Sequence, residues 1–256
     1  MESISSPKNE KIKELVKLQT AKGRKKAGMY LIEGEHLVEE AIKERAQIKL
    51  IVVTSNRLED YKNLLAQTDV QVLVVSQDVF HKLSMTETTQ GILAVVEIVK
   101  QEILPHKGRF IVLDAVQDPG NLGTIVRTAD AAGFDAVVLG TGTVDLYNDK
   151  VLRSMQGSHF HIPVFQANLQ EYLPILKEKG VQVAVTALHR DSKDYTILQG
   201  ATDVAIVVGN EGQGVSEDVI DLADVVVTIP MFGKAESLNV AIASALLMYK
   251  TKETKE

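Results

Sequence analysis

The 256-residue chain contains no cysteine, and it has no apolar run of the roughly 18 residues that a membrane helix needs. The absence of thiols excludes disulfides, thiolate zinc sites, iron–sulfur clusters and cysteine nucleophiles. The six histidines do not show the HExxH spacing of a zinc site, so we predict no metal. The N-terminal segment lacks the apolar core of a signal peptide, and we expect a cytoplasmic protein with no membrane partner.

The net charge of −6 conceals a basic N-terminal segment. Residues 1–30 hold eight basic side chains against three acidic ones, a local balance of +5, so the remainder sums to −11. A basic segment on an acidic body can bind nucleic-acid phosphates at one end of a protein. An ordinary solvated helix face explains residues 11–17 equally well, because KIKELVKL has helical spacing. The predicted RNA-binding residues are Lys8, Lys11, Arg24, Lys25 and Lys26.

Apolar periodicity divides the chain into two α/β regions. Around KQEILPHKGR this pattern lapses, so we predict a smaller first domain at 1–100, a linker at 101–108 and a second domain at 109–256. Near-continuous Val/Ile/Leu strands in the second domain, separated by helices, predict a parallel sheet covered on both faces. Helices are expected over 8–20, 35–44, 57–66, 122–132, 148–156 and 169–179, followed by a final helix within SLNVAIASALLMYK.

Three glycine-bearing turns follow strands of the second domain: DPGNLG at 118–123, GNEGQG at 209–214 and PMFGKAES at 230–237. Their spacing matches neither the dinucleotide fingerprint nor the triphosphate loop. Ligands of parallel sheets bind at the carboxyl ends of the strands, and a crevice of backbone, glycine and apolar residues suits an adenosine-like ligand. Ser237 also has a second interpretation, as N-cap of the final helix. That helix, VAIASALLMY, is apolar almost all round, so it either packs in the core or forms a subunit interface.

Three segments of the chain resemble the ordered motifs of a known family. NLGTIVRTADAAG, IVVGNEGQGVSEDV and IPMFGKAESLNVAIASAL are similar to the motifs of the SpoU (TrmH) RNA ribose 2′-O-methyltransferases of the SPOUT superfamily. This resemblance covers roughly residues 107–250. The N-terminal portion, with KIKELVKL, RKK and YLIEGEHLVEEA, resembles the substrate-binding domain that many members carry.

The resemblance implies a donor, a fold and an assembly. The donor is S-adenosylmethionine, held in a crevice of a deep trefoil knot near the C-terminus, and the enzyme acts as a homodimer. Knots are almost absent among protein folds, so only the resemblance supports this one. The positions that match cofactor-binding residues of the family are Gly209, Asn210, Ile229, Met231, Leu238 and Asn239.

The catalytic set implied by the resemblance comprises Arg127, Asn121, Glu211, Ser237 and Asn239. The family account makes the arginine the general base, but a guanidinium with a pKa above about 12 is hardly ever deprotonated in a protein. We therefore expect Arg127 to fix the ribose or a neighbouring phosphate and to stabilise the developing alkoxide. Asn121 would orient the arginine, and Glu211 would balance its charge.

The expected function is methylation of a ribose 2′-hydroxyl of RNA. Direct displacement at that oxygen needs no cysteine adduct, unlike most C5-methylation of RNA bases. The added N-terminal domain resembles those of members that act on large-subunit RNA, which favours 23S rRNA over transfer RNA. The alternative function is a non-catalytic RNA-binding assembly factor on the same scaffold. A further alternative makes Arg127 a structural residue that pairs with Asp130 or another acid.

Overall fold

The computed structural model describes residues 2–100, 105–187 and 191–254. Part of the predicted linker, residues 101–104, lies outside this description. The chain forms two compact units: residues 1–99 together with Asp145–Phe160, and residues 100–144 together with 161–256. Among the described helices, each is too short or too polar to span a bilayer.

The strands of the first unit are β1 (Glu2–Ile4), β2 (Met29–Glu33), β3 (Ile48–Thr54), β4 (Val72–Val75) and β5 (Ile92–Glu97). Those of the second unit are β6 (Arg109–Asp114), β7 (Ala136–Leu139), β8 (Val164–Gln166), β9 (Gln182–Thr186), β10 (Lys193–Asp194), β11 (Val204–Gly209) and β12 (Val225–Thr228).

The helices up to the first glycine-bearing turn are α1 (Glu10–Lys17), α2 (Ala21–Ala27), α3 (Glu35–Lys43), α4 (Lys62–Leu65) and α5 (Gln77–Leu83). The later helices are α6 (Pro119–Ala131), α7 (Asp149–Met155), α8 (Leu169–Glu178), α9 (Glu217–Ile220) and α10 (Val240–Lys250). Short 3₁₀ turns lie at Ser55–Arg57, Ser158–Phe160 and Tyr195–Leu198.

Each unit is built on its own sheet. The first sheet is mixed, with order β1-β4-β3-β5-β2, and β5 runs antiparallel to both of its neighbours. The second has order β10-β12-β9-β11-β6-β7-β8, and every strand pair in it is parallel. The predicted parallel sheet is therefore confirmed.

Burial explains the unbroken Val/Ile/Leu runs of the second sheet. Successive residues of β6, Phe110 to Leu113, are all fully buried, as are Val204 to Val207 of β11. A strand whose two faces are both covered has no solvent side, so it needs no alternation of polar residues. The β6–β11 pair lies near the centre of the sheet, and the first two glycine-bearing turns follow these two strands.

The N-terminal helix predicted at 8–20 is shorter than expected, and a second helix that was not predicted follows it. The α1 helix ends at Lys17, and α2 begins after Thr20, whose side chain accepts a hydrogen bond from the Gly23 N–H as an N-cap. Gly28 closes α2 in the left-handed conformation at φ 65°, a position that favours glycine. The GRKK cluster therefore lies on a short helix. Strand β1 was not predicted, and the helix predicted at 57–66 is reduced to a 3₁₀ turn followed by α4.

The segment Asp145–Phe160 groups with the first unit, although its sequence position placed it in the predicted second domain. The Tyr30 hydroxyl lies 3.0 Å from Nε2 of His159, and the Tyr30 and Tyr147 rings have centroids 4.4 Å apart. An ion pair between the buried Arg24 guanidinium and the partly exposed Asp145 carboxylate adds a second attachment. Aromatic stacking and ion pairing of this kind leave no periodic signal in the sequence. The grouping of Asp145–Phe160 with the first unit was therefore not predictable.

Candidate active site

The predicted site residues lie on loops that leave the carboxyl ends of three strands. Residues 115–118 follow β6, residues 210–216 follow β11 and residues 229–239 follow β12. Because β6 and β11 are adjacent and parallel, their carboxyl ends lie at the same edge of the sheet. This edge is where parallel α/β sheets bind their ligands.

A chain of three side chains joins the three motifs. The Asn121 amide nitrogen donates to a Glu211 carboxylate oxygen at 2.9 Å, and the Asn239 amide nitrogen donates to the Asn121 amide oxygen at 2.9 Å. Asn121 thus uses one donor and its acceptor, which fixes the orientation of its amide plane. The structure therefore brings together three of the five residues predicted for catalysis.

Glu211 receives its charge compensation from backbone groups. The N–H groups of Gln117 and Asp118 donate to its two carboxylate oxygens at 3.1 and 3.0 Å. Burial alone raises the pKa of the Glu211 carboxyl, but hydrogen bonds from the Asn121 amide and from these N–H groups outweigh burial and lower the pKa below its ordinary value. Glu211 is therefore an ionised acceptor at neutral pH.

The loop after β11 is held rigidly by Asn210. Its amide oxygen accepts from the N–H groups of Gly212 and Gln213 at 2.9 and 3.1 Å, and its amide nitrogen donates to the Ala115 carbonyl at 2.9 Å. The Asn210 side chain thus builds the loop, together with its backbone N–H and C=O, which both pair with Gly214 at 2.9 Å. Gly209 is required for the same reason, because a Cβ there would lie 2.1 Å from the Gly214 carbonyl carbon.

Arg127 lies on the outward side of α6. The helix begins at Pro119, earlier than predicted, because the Asp118 side chain caps it through the Asn121 N–H. It buries Ile125 and Val126 and leaves Arg127 exposed. In the part of the chain that the structure describes, the Arg127 guanidinium makes no hydrogen bond or ion pair, and it is not joined to the Asn121–Glu211–Asn239 chain.

The proposed pairing of Arg127 with Asp130 is wrong. The Asp130 carboxylate lies 2.8 Å from Nδ1 of His161 instead. Residues 127 and 130 are one helical turn apart, so the pair was sterically possible, but the arginine points to solvent. The guanidinium is therefore free to contact a ligand.

Ser237 is not the N-cap of the final helix. Asn239 is the cap, because its side-chain oxygen accepts from the N–H groups of Ala241 and Ile242 at 2.9 and 3.3 Å. Ser237 is exposed and lies two residues before this cap. Asparagine is as good a cap as serine, and here the same side chain also reaches Asn121.

The residues between β12 and Asn239 form a loop without internal hydrogen bonds. Within the described residues, no hydrogen bond involves residues 229–238. Ile229, Met231 and Leu238, which were predicted to bind the cofactor, are half-buried there. Their backbone N–H and C=O groups, together with apolar side chains, suit an adenosine-like ligand.

The predicted RNA-binding residues separate into two groups. Lys25 and Lys26 are exposed on α2 and make no ion pair with any residue among 2–100, 105–187 and 191–254. Lys22 shares their exposed surface and was missed, although its spacing from Lys25 and Lys26 is that of one helix face. Lys8 is exposed, and the Lys11 ammonium lies 2.7 Å from the Glu2 carboxylate.

Arg24 does not belong with these lysines. Its side chain is buried, its Nε and Nη2 donate to Asp145, and its Nη1 donates to the carbonyls of Leu18 and Gln19 at 3.1 Å each. Position 24 is about 200° around the helix from Lys22, which turns it inward. Arg24 is therefore a structural residue, and the prediction that it binds RNA is corrected.

Comparison with known proteins gives two family matches. The SpoU rRNA Methylase family matches residues 108–249, and the MRM3-like substrate binding domain matches residues 9–94. The chain is 46% identical over 251 residues to the 23S rRNA (guanosine(2553)-2′-O)-methyltransferase RlmP of Bacillus subtilis, covering 97% of this chain and 98% of the relative.

Solved structures agree with these matches. The AdoMet-bound rRNA methyltransferase from Sinorhizobium meliloti superimposes with a TM-score of 0.87 at 30% identity, covering 98% of this chain and 97% of that one. A crystal structure of an RNA 2′-O ribose methyltransferase gives a TM-score of 0.81 at 31% identity, with 98% of both chains covered.

Fold and site together define a methyltransferase that uses S-adenosylmethionine to modify RNA ribose, and the predicted class of enzyme and its cofactor are confirmed. The chain belongs to the SpoU rRNA methylase family, with an MRM3-like substrate-binding domain at its N-terminus.

Proposed function

We propose that the protein methylates the ribose 2′-hydroxyl of one guanosine in 23S rRNA, the nucleotide corresponding to guanosine 2553. The observation that carries this proposal is the 46% identity to the Bacillus subtilis enzyme over nearly the whole of both chains. The hydrogen-bonded chain of Asn121, Glu211 and Asn239 supports it, because residues from all three motifs meet at one edge of the sheet. We place this activity in the cytoplasm, with the ribosomal substrate.

The cofactor site in this proposal consists of Gly209, Asn210, Ile229, Met231, Leu238 and Asn239. The residues fit S-adenosylmethionine because residues 229–238 retain unpaired backbone donors and acceptors next to half-buried apolar side chains. Gly209 lets two backbone segments approach where a Cβ would clash. When bound, the cofactor supplies a methyl group on a positively charged sulfur.

Arg127 carries the catalytic role in this proposal. Negative charge would develop on the ribose oxygen as its proton passes to solvent water, and would be consumed as the oxygen bonds to the methyl carbon and the carbon–sulfur bond breaks. A guanidinium that is not engaged by the protein can donate two parallel hydrogen bonds to the ribose oxygen and a neighbouring phosphate. Asn121 and Glu211 hold the start of α6, and thereby the helix that carries Arg127. Ser237, which is exposed in the loop between β12 and Asn239, is a polar contact for the substrate.

The first domain, residues 1–100, is proposed to bind the RNA, and residues 109–256 to carry out the methyl transfer. Lys8, Lys11, Lys25 and Lys26 form the proposed phosphate contacts, and Lys22 joins them on the exposed face of α2. Arg24 is removed from this set because it is buried. Three exposed lysines on one short helix, Lys22, Lys25 and Lys26, can neutralise RNA phosphates.

The finer features of the family fold are also proposed: a deep trefoil knot near the C-terminus and a homodimer. The sheet order supports the knot, because β11 enters between β9 and β6 and the chain then returns to β12 on the far side of β9. The exposed side chains of Ile242, Leu246 and Tyr249 support the homodimer. They recur every three or four residues along α10 and form one apolar stripe.

The proposal is tested by methyl transfer to defined RNA. Purified protein, labelled S-adenosylmethionine and a 23S rRNA transcript should give label at the single guanosine. A matched RNA with 2′-deoxyguanosine at that position should accept none, because only the acceptor hydroxyl is removed. Label that persists on the deoxy RNA would show that a base or another nucleotide is the target.

A further inference from the structure

Phe232 is the most exposed large apolar side chain in the described residues. It is 96% exposed, whereas the next such side chain, Val99, is 64% exposed. Single apolar residues on a surface are ordinary, so exposure alone decides nothing. The position of Phe232 in the molecule, and the chemistry of its neighbours, decide what it can do.

Phe232 belongs to the loop that leaves the ligand-binding edge of the sheet. The loop starts after β12 and ends at Asn239, which donates to Asn121 in the hydrogen-bonded chain of Asn121, Glu211 and Asn239. Phe232 directly follows Met231, which is half-buried. One side of the loop therefore packs partly against the protein, while the ring of Phe232 extends into solvent at the edge where a large substrate would approach.

The neighbours of Phe232 favour a nucleotide over a protein. Gly233 has open space around its Cα, and Lys234 is exposed. Within the described chain Lys234 makes no ion pair, not even with Glu236 two residues further on. An aromatic ring for the base and an ammonium for the phosphate are the two contacts by which proteins hold unpaired nucleotides. The apolar stripe on α10, by contrast, has no cation between its members and suits a protein surface.

We propose that Phe232 stacks on a base of the RNA, at or directly beside the target nucleotide, while Lys234 contacts its phosphate. This inference rests on the proposed function and adds to it a residue that binds and orients the substrate. Methyl transfer needs the ribose held in line, and a stacked base restricts the rotation of the nucleotide that carries this ribose. Stacking accepts any base, so Phe232 supplies affinity and orientation rather than a sequence code.

The absence of tryptophan from the chain gives a direct test. A Phe232→Trp variant carries the only tryptophan of the protein, and stacking of a base on an indole quenches its emission. The matched control is Ile175→Trp, at an exposed position on α8. With the RNA that the wild-type protein binds, we expect emission of the Phe232→Trp variant to fall and that of the control to stay unchanged.

An affinity series checks that the ring, rather than apolar area, is responsible. Phe232→Ala should weaken RNA binding by about five- to a hundredfold, the range for loss of one stacked base, and leave cofactor affinity unchanged. Phe232→Tyr should bind within about twofold of wild type, whereas Phe232→Leu should remain weak because it has no planar face.

Three results would overturn the stacking role: no quenching in the Phe232→Trp variant, full affinity in Phe232→Leu, or dissociation of a dimer by Phe232→Ala, which would make the ring a subunit contact. Methyl transfer by the wild-type protein to the same RNA is measured in parallel. Methyl transfer without quenching contradicts the stacking role alone, and quenching without methyl transfer contradicts the proposed function alone.

Discussion

Replacing Arg24 with alanine should destabilise the first unit without changing the salt dependence of RNA binding. The Arg24 guanidinium is buried and makes four hydrogen bonds, two to Asp145 and one each to the carbonyls of Leu18 and Gln19. Breaking a buried pair by removing one partner typically costs about 3–5 kcal/mol. Because the Asp145 side chain is 35% exposed and can regain water, the expected loss is about 3 kcal/mol, at the low end of that range.

Scanning calorimetry measures this loss. A unit of this size should melt lower by more than about 10 °C, since each kcal/mol corresponds to about 4–8 °C in a small domain. RNA binding is then titrated at several salt concentrations, at a temperature where the variant is folded. The slope of the logarithm of affinity against the logarithm of salt concentration should equal that of the wild type, because no phosphate contact has been removed.

The matched control is the double variant Lys25→Ala, Lys26→Ala. Both side chains are exposed, so stability should stay within about 0.5 kcal/mol of wild type. The salt slope should fall by about 1.4–1.8, since each of the two phosphate contacts contributes about 0.7–0.9. The reasoning is refuted if Arg24→Ala melts like the wild type and shows the reduced slope, because Arg24 would then be a phosphate ligand.

Three further predictions concern the site and the assembly. Gly209→Ala should cost about 2–3 kcal/mol of stability and weaken binding of S-adenosylmethionine, because its Cβ would lie 2.1 Å from a backbone carbon. The control Gly212→Ala, whose Cβ would lie 3.7 Å from its nearest neighbour, should be neutral. Equal melting temperatures and equal cofactor affinities of the two variants would contradict the predicted clash at Gly209. Glu211 has a folded-state pKa below its ordinary value, so its contribution to stability should be complete above the ordinary carboxyl pKa and be lost as pH falls through the lower folded value. The free energy of unfolding of the wild type should therefore exceed that of Glu211→Gln at neutral pH, and this difference should disappear as pH falls through that acidic window; a difference that does not change with pH would exclude a role for the Glu211 charge. Leu246→Glu should convert a dimer to monomers in sedimentation velocity while Ile175→Glu leaves it intact, and a persistent dimer would exclude the α10 stripe as the interface.

The sequence allowed the parallel sheet and the site loops to be predicted, for physical reasons. Strands buried on both faces must be continuously apolar, so β6 and β11 were visible as Val/Ile/Leu runs. Carboxyl ends of adjacent parallel strands share an edge, which places the motifs containing Asn121 and Glu211 together. The contact between these two side chains is a structural finding, since the resemblance supplied their roles but not their geometry.

Other features depended on contacts between residues far apart in the chain. Arg24 and Lys25 are neighbours in a uniform basic cluster. Arg24 is nevertheless buried, because the helix period turns it inward and because it pairs with Asp145, 121 positions away, whereas the ammonium groups beside it are exposed. Ser237 and Asn239 are both good cap residues, and sequence alone does not decide where a helix starts. In the structure Asn239 is the cap, and its side chain also donates a hydrogen bond to Asn121.

The central claim is that the charge of Arg127 stabilises the reacting ribose oxygen, and the single-turnover rate of methyl transfer tests it most directly. At saturating RNA and S-adenosylmethionine, Arg127→Ala should transfer the methyl group at least about a hundredfold more slowly than wild type, while its affinity for the cofactor changes only a few-fold. A rate for Arg127→Ala within a few-fold of the wild-type rate would contradict the account.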